Sequence, residues 1–565
     1  MSADPESAAG RMSTAPTDVE YQGSSSTPEK RPISSENSGT INEDTDTTDG
    51  PDALHRHQTH KTDHGDADVD GLGRMHTAAS SFMASRLSLP HEIVFVFVVC
   101  CAQLTTQAGL GQSISILHVI GNNYGLDKPE DLPWFMAAYS LTVGTFILIS
   151  GRLGDLYGHK RMLVIGYLWY AVWSAIAGLA VYSNVIMFDI CRALQGIGPS
   201  ILLPNGLAIL GSSYPDGPRK HMVFAIFGAM APSGAVLGSC FAGLFALTWW
   251  PWVFWVFAIV LCLLALLAVV AVPSPPIRHS EPTTFGTKIK QIDLLGASVG
   301  ITSLLLINIA WNQAPIVTWH EPHTYILLLI GILLIPLFFY IELRIASFPL
   351  LPLEALKSTD IAFVLGCIAC GWGCFGIWFY YLWQFHLELR GASPLLATAQ
   401  VSPVAVSGAV AAIATGFLLG RIGPAWTMVA AMSAFLAGIC ILATMPIDQT
   451  YWSQAFVCVV VIPWGMDMSF PASTVILSNA VSKRHQGVAA SLVNTVVNYS
   501  ISIALGIAGT ADVYVNKGGR SKEEVLAGYR AALYVGIGLA GLGWLLSLVY
   551  LGHDYQRNKA GSGKK

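Results

Sequence analysis

Three ionisable side chains lie inside long apolar runs of this 565-residue chain. Asp189 and Arg192 stand three residues apart in one run, and Asp467 stands near the middle of another. A charge at the centre of a membrane helix costs on the order of 2.5–3.5 kcal/mol on insertion scales, so such residues line a path or pair with a counter-charge. Asp189 and Arg192, at i and i+3, share a helix face and can neutralise each other. Asp467 has no charged neighbour within its run. Burial opposes the charged form of a carboxylate, so a group of this kind can take and release a proton. Asp467 is therefore the first candidate for a protonation site, with Asp189 and Arg192 as a coupling or gating pair. Plainer readings stay open: a structural bridge between helices for Asp189 and Arg192, and hydrogen bonding to a helix broken near Pro471 for Asp467.

Uncharged polar residues add a second set. Gln103, Gln107 and Gln112 span two turns of the first apolar run, and Asn494 and Asn498 lie four apart in the thirteenth. Either group can line a substrate cavity or cross-link helices. His118, near the end of the first run, reads as an interfacial residue. Cys367, Cys370 and Cys374 share one helix face, but without His or carboxylate neighbours they read as small packing residues and no metal is expected. All ten cysteines fall in apolar spans, so no disulfide framework is legible.

These residues need membrane helices to hold them. Apolar residues make up 53% of the chain and charged residues 12%, against about 25% charged in soluble domains. A spanning helix needs about 20 mostly apolar residues. Runs at 92–117, 133–151, 162–181, 184–211, 221–245, 252–272, 293–312, 324–342, 361–384, 396–419, 426–445, 453–478, 486–511 and 530–551 give fourteen. The fold class is an all-α polytopic membrane protein. Residues 1–90 hold fifteen acidic and seven basic groups with almost no aromatics, which predicts a disordered acidic tail. His55, His57, His60, His64 and His76 in that tail read as part of a solvated segment rather than a metal site.

Basic residues fix the expected orientation. With the tail cytoplasmic, Arg152, Lys160, Arg161, Arg219, Lys220, Arg344, Arg421, Lys483 and Arg484 fall inside, with others, while only Lys128, Arg390, Lys517, Arg520 and Lys522 fall outside. That asymmetry predicts an even number of spans with both termini cytoplasmic.

Residues 151–162 combine three glycines, Asp155 and the cluster Arg152, His159, Lys160 and Arg161 between two apolar runs, and read as a short basic turn. Gly151, Leu153, Asp155, Gly158, Lys160 and Arg161 match the pattern G-x-L-x-D-x-x-G-x-K-R. Further on, Arg192, Gln195, Gly196 and Gly198 match R-x-x-Q-G-x-G, and Trp250, Trp252 and Phe254 match W-R-W-x-F with Pro251 in place of the Arg. In this order the motifs resemble the major facilitator superfamily. The resemblance implies two six-helix bundles, at 91–272 and 346–552, with two extra helices in a linker at 273–345 and a basic tail at 553–565. Fourteen spans are similar to the drug:proton antiporter branch. The runs Ala102–Gln112 and Gly465–Pro471 resemble its fungal aminotriazole-resistance, borate-efflux and low-affinity ammonium transporter-like members.

By that resemblance the chain is a monomeric secondary transporter in a lipid bilayer, with a small-molecule substrate, protons, no cofactor and no nucleic acid. Gly151, Arg152, Gly154, Asp155, Gly158, Lys160 and Arg161 would form a gating latch between rocking halves. Asp155 would lie at a positive helix N-terminus, and Lys160 and Arg161 would meet acidic groups or lipid phosphates. The helix-five antiporter pattern is partly kept as Gly228, Pro232, Gly234 and Gly238, which read as bending and packing residues. Glutamines replace the acidic residue of the first helix, and Gly420-Arg421-Ile422-Gly423 is a reduced second copy of the turn. The leading expectation is a proton-coupled exporter of small toxic or drug-like solutes in the plasma membrane, with the vacuolar membrane as the alternative location. A facilitator of a small polar solute such as ammonium or borate is the alternative, and a non-transporting sensor is the remote one. No P-loop of the form G-x-x-x-x-G-K-[ST] is present, and no enzyme is expected.

Overall fold

A hydrocarbon layer offers no water to main-chain N–H and C=O groups, so an apolar run of spanning length closes its hydrogen bonds on itself as a helix. The computed structural model describes residues 87–126, 131–215, 217–273, 292–350, 358–480, 486–516 and 518–562. The acidic tail and its five histidines lie outside the described residues. Among the described residues, fourteen helices are long and apolar enough to cross a membrane. We number them α1 (Leu89–Ile114), α2 (Trp134–Tyr157), α3 (His159–Tyr182), α4 (Val185–Ser213), α5 (Pro218–Ala246), α6 (Trp252–Ala271) and α7 (Leu294–Val317). The rest are α8 (Pro322–Arg344), α9 (Thr359–Leu389), α10 (Pro394–Arg421), α11 (Gly423–Ala443), α12 (Gln454–Ala480), α13 (Ser491–Asn516) and α14 (Lys522–Arg557). No strand occurs among the described residues.

The expected count of fourteen holds, and the ends shift. α2 runs through Gly151 to Tyr157, well past the expected end at residue 151. α14 begins at Lys522 rather than near residue 530. α9 ends in a π turn at Phe385–Leu389, a feature without a sequence periodicity of its own.

Small residues set the packing, since lipid supplies no hydrophobic drive between helices. α1 lies on α5, α2 on α4, α3 on α4 and α6. α9 lies on α13 and α14, α11 on α12 and α14, and α10 on α12. Two seams join these groups: α2 against α13, and α5 against α10. On the first, a Cβ at Gly144 of α2 would come within 2.7 Å of the Tyr499 main-chain nitrogen on α13, so the helices touch backbone to backbone there.

The extra pair is asymmetric. α7 packs on both α13 and α2, whereas α8 packs chiefly on α7 and turns Tyr325, Leu329, Leu333 and Tyr340 outward. Ser502 Oγ of α13 makes hydrogen bonds to Asn308 Oδ1 of α7 and the Ala137 carbonyl of α2, both at 2.9 Å. Asn312 Nδ2 of α7 donates to the Ser502 carbonyl at 3.2 Å. Three helices from three parts of the chain are thus tied at one residue.

Candidate functional site

The signature segment, residues 151–162, is expected as a short turn but is mostly helical. Gly151, Arg152, Gly154 and Asp155 are helical in α2, and the reversal occurs at Gly158 alone, with φ +96°. His159 already begins α3. This corrects the expected turn: the glycines at 151 and 154 serve contacts, not chain reversal. A Cβ at Gly154 would collide with Asn205 Oδ1 of α4. Asn205 is the hub that sequence reading missed. Its Oδ1 pairs with His159 Nδ1 at 2.8 Å, and its Nδ2 donates to the Ile201 carbonyl at 2.7 Å and the Ser150 carbonyl at 3.3 Å. Asp155 faces His159, the first residue of α3, with oxygen and nitrogen 3.4 Å apart. Lys160 and Arg161 make no ion pair among the described residues. Arg152 reaches furthest, donating to the Pro349 carbonyl beyond α8. The reduced second copy also turns on one glycine, Gly423, with φ +80°.

At the same end, Glu92 of α1 accepts from Tyr214 at 2.9 Å and from Arg219 at 3.0 Å. Burial, reinforced by the Glu92 hydrogen bond and charge, holds the Tyr214 hydroxyl well above the usual phenol range. Asp360 of α9 similarly meets Arg557, and His553 at 3.2 Å.

Asp189 and Arg192 do not form the expected ion pair. Arg192 is fully buried and points away from Asp189, across the bundle. Its Nε donates to the Phe135 carbonyl of α2 at 2.9 Å, Nη2 to the Gly109 carbonyl of α1 at 2.9 Å, and Nη1 to Gln195 Oε1 at 2.7 Å. The guanidinium carbon lies 4.6 Å from the centre of the Tyr139 ring. A long side chain three residues along can choose a partner on another helix, and carbonyl dipoles take the place of the counter-ion here. Asp189 Oδ1 is buried and has no hydrogen-bond partner among the described residues.

The network runs on through α3. Tyr139 donates to the Thr106 carbonyl at 2.8 Å and lies 2.9 Å from the Tyr170 hydroxyl. Gln195 Nε2 donates to Ser174 Oγ at 2.8 Å. Gly196 and Gly198 allow the approach, because a Cβ at either would meet Tyr139 or Tyr170. The R-x-x-Q-G-x-G spacing is therefore two polar anchors followed by two clearances.

Asp467 stands on α12 where the second seam passes. A Cβ on Gly408 of α10 would lie 2.8 Å from Asp467 Oδ2 and 2.7 Å from the Pro232 ring of α5. The carboxylate thus sits beside the contact between α5 and α10. Its Oδ2 is buried without a hydrogen-bond partner among the described residues, and its main-chain carbonyl accepts from Thr415 at 3.2 Å. The helix-five motif divides by task. Pro232 meets α10, Gly234 and Gly238 clear the Leu104 and Ala108 carbonyls of α1, and Gly228 has open space around it.

The glutamines of α1 separate. Leu104, Ala108 and Gly111 face α5, while Thr106 faces Tyr139 of α2. At about 100° per residue, Gln103 and Gln107 fall in the arc between those two helices, toward the other half. Both are half-buried and make no side-chain hydrogen bond among the described residues. Gln112 lies about half a turn from Gln103, and its side chain is buried with Nε2 unpartnered. It does not belong to the same face, which corrects the expected three-residue set. Asn498 Nδ2 bonds back to the Asn494 carbonyl at 3.0 Å, so that pair is tied along its own helix beside Gly144. His118, expected as interfacial, binds Gln384 Oε1 of α9 through Nε2 at 2.7 Å and so links the halves at the end opposite the signature segment.

The profile of the Major Facilitator Superfamily matches residues 96–507 and 361–565. The chain belongs to the Major Facilitator Superfamily. The transporter is 53% identical over 473 residues to the "Low affinity ammonium transporter" of Saccharomyces cerevisiae, covering 84% of this chain and 91% of that protein. It is 48% identical over 482 residues to "Efflux pump terJ" of Aspergillus terreus, covering 84% and 92%. Among solved structures, a POT family transporter in complex with a thioalcohol conjugated peptide superposes with a TM-score of 0.59 at 15% identity, covering 82% of this chain and 96% of that one. That last likeness is one of fold. Members of this superfamily move small molecules across membranes and are not enzymes.

Proposed function

We propose that this transporter is a proton-coupled exporter of small toxic or amphipathic solutes, working by alternating access between its two halves. One observation carries the reading: the Asp467 carboxylate, free of ion pairs among the described residues, lies beside Gly408, the residue of α10 that meets Pro232 of α5. A group that gains or loses a charge at that seam changes the energy of bringing the halves together. Arg192 and Asp189 form the coupling element of the first bundle. The signature end faces the cytoplasm by the positive-inside rule, with both termini on that side. The membrane is the plasma membrane and the working unit a monomer. The relative named as an efflux pump is consistent with this direction.

A second reading has its own support. Gln103 and Gln107 present amides, not an acid, to the space between the halves. A relative at 53% identity is named as an ammonium transporter. On that reading the chain is a facilitator for a small polar solute.

Flux in proteoliposomes under an imposed proton gradient separates the two. The exporter accumulates solute only while the gradient stands, and Asp467→Asn abolishes accumulation with the protein still folded. Flux indifferent to collapse of the gradient would overturn the exporter and leave the facilitator. Uphill transport by the Asp467→Asn protein would remove Asp467 as the proton carrier.

A further inference from the structure

At the end opposite the signature segment, a cavity of about 320 Å³ lies between the halves. One wall comes from the close of α1 and the short helix after it, including Ser115, His118, Val119 and Asn122. The other comes from the π turn and the residues just beyond it, including Leu387 and Glu388. The volume is at the lower end of the range for small-molecule sites, about 300–1,000 Å³. It is far larger than a single water, whose share of liquid volume is about 30 Å³.

The polar groups in this cavity are specific. The π turn swings Glu388 into the wall, where Tyr529 of α14 donates to its Oε2. Its other oxygen bonds to no described residue. The cations nearby are directed elsewhere: Arg390 donates to the Ile447 and Pro446 carbonyls at 3.0 and 3.2 Å, and Lys522 to the Leu389 carbonyl at 3.0 Å. Ser115, fully buried, has an Oγ without a hydrogen-bond partner in the same wall. His118 is held by Gln384. One oriented carboxylate, one spare hydroxyl and an otherwise largely apolar lining suit a cation with an apolar body.

We propose that this cavity is a vestibular binding site for a small organic ammonium ion, with Glu388 as its counter-ion. Because both halves supply its walls, an occupant favours the arrangement in which this end is closed. The site is independent of which solute crosses at the midplane and of the coupling proposed above.

Calorimetry on the full chain in nanodiscs, with 2-phenylethylammonium as probe and 2-phenylethanol as its neutral isostere, tests the proposal. Glu388→Gln keeps the shape and an acceptor for Tyr529 while removing the charge. It is expected to weaken phenylethylammonium about tenfold or more and to leave the weaker binding of phenylethanol unchanged. Val119→Trp, which fills the cavity with Glu388 in place, is expected to lose the probe as well. Asp467→Asn is expected to retain it. Equal probe affinity in wild type and Glu388→Gln, or absence of probe binding to wild type, would overturn the site. Loss of binding in Asp467→Asn alone would move the ligand to the midplane and overturn it too, leaving the exporter reading intact.

Discussion

Arg192→Met separates a structural arginine from a functional one. The guanidinium makes three hydrogen bonds, to two main-chain carbonyls and one amide, and lies 4.6 Å from the Tyr139 ring centre. Charge-assisted bonds contribute about 1.5–3 kcal/mol each, roughly 6 kcal/mol together, and the ring about 1–2 kcal/mol more. Against this stand several kcal/mol of desolvation for a fully buried charge and about 2 kcal/mol of side-chain entropy. The two sides cancel to within a few kcal/mol. Methionine of similar length leaves the Phe135 and Gly109 carbonyls their in-helix partners, and replacing a buried charge by a packed apolar group is often neutral. The purified Arg192→Met protein is therefore expected to unfold within about 1 °C of wild type, since about 1 kcal/mol moves the melting temperature of a chain this long by about 1 °C, while transport in proteoliposomes falls to background. Arg192→Lys keeps the charge, but a single ammonium cannot reach acceptors on α1, α2 and α4 together, so it is expected to lose transport as well. A collapse of thermal stability in Arg192→Met, matching the 3–5 kcal/mol of a broken buried pair, would refute the reasoning and make Arg192 a brace. So would normal transport by the Met variant.

Packing and the polar knot give two further tests. Gly238→Val drives a side chain into the Ala108 carbonyl and is expected to cost about 2 kcal/mol or more; Gly228→Ala, with open space around it, is expected to be close to neutral, and melting of the two proteins side by side checks both. Ser502→Ala removes bonds to both α7 and α2 and is expected to cost about 1 kcal/mol, in line with hydrogen bonds measured inside membranes. Adding Asn312→Ala should then cost less than Asn312→Ala does alone, because both residues serve one network; full additivity in a double-mutant cycle would argue against the knot.

The number and order of helices were legible because a hydrocarbon layer admits few alternatives. A run of apolar residues long enough to span must close its own hydrogen bonds, and charge asymmetry then constrains the count. Local partner choice was not legible. Glycine and charge together at 151–162 read as a turn of a dozen residues, yet only Gly158 has positive φ; Gly154 is there because Asn205, on a helix two spans further on, needs the room. Spacing put Asp189 and Arg192 on one face, but an arginine's reach let it bypass its neighbour for carbonyls of α1 and α2. Tyr170 and Asn205 carried no signal of their own, since tyrosine and asparagine are common in such helices and only the fold brings their partners within 3 Å. Gln112 departs from Gln103 and Gln107 by simple helical phase, which could have been read from the sequence.

The two seams between the halves are built differently, and that difference bears on mechanism. Along α2 and α13 the backbones touch at Gly144, Ser502 bonds to both α2 and α7, and the extra helix lies across the joint. Parting α2 from α13 would break the Ser502–Ala137 hydrogen bond in a medium that cannot replace it. At the contact of α5 and α10, by contrast, Gly408 meets a proline ring and a carboxylate that makes no hydrogen bond through Oδ2. Separation there exposes little that needs a new partner, except the carboxylate itself. In the proposed cycle the first seam is then the hinge and the second the mouth. In that cycle the charge on Asp467 would change the cost of opening where opening is otherwise cheap. An acid at position 103 or 107 of α1 would be flanked by α2 and α5 of its own half, whereas Asp467 lies beside Gly408, where α10 meets Pro232 of the other half. Glutamines at 103 and 107 are therefore compatible with coupling, because the seam supplies a carboxylate at a contact the motion must change.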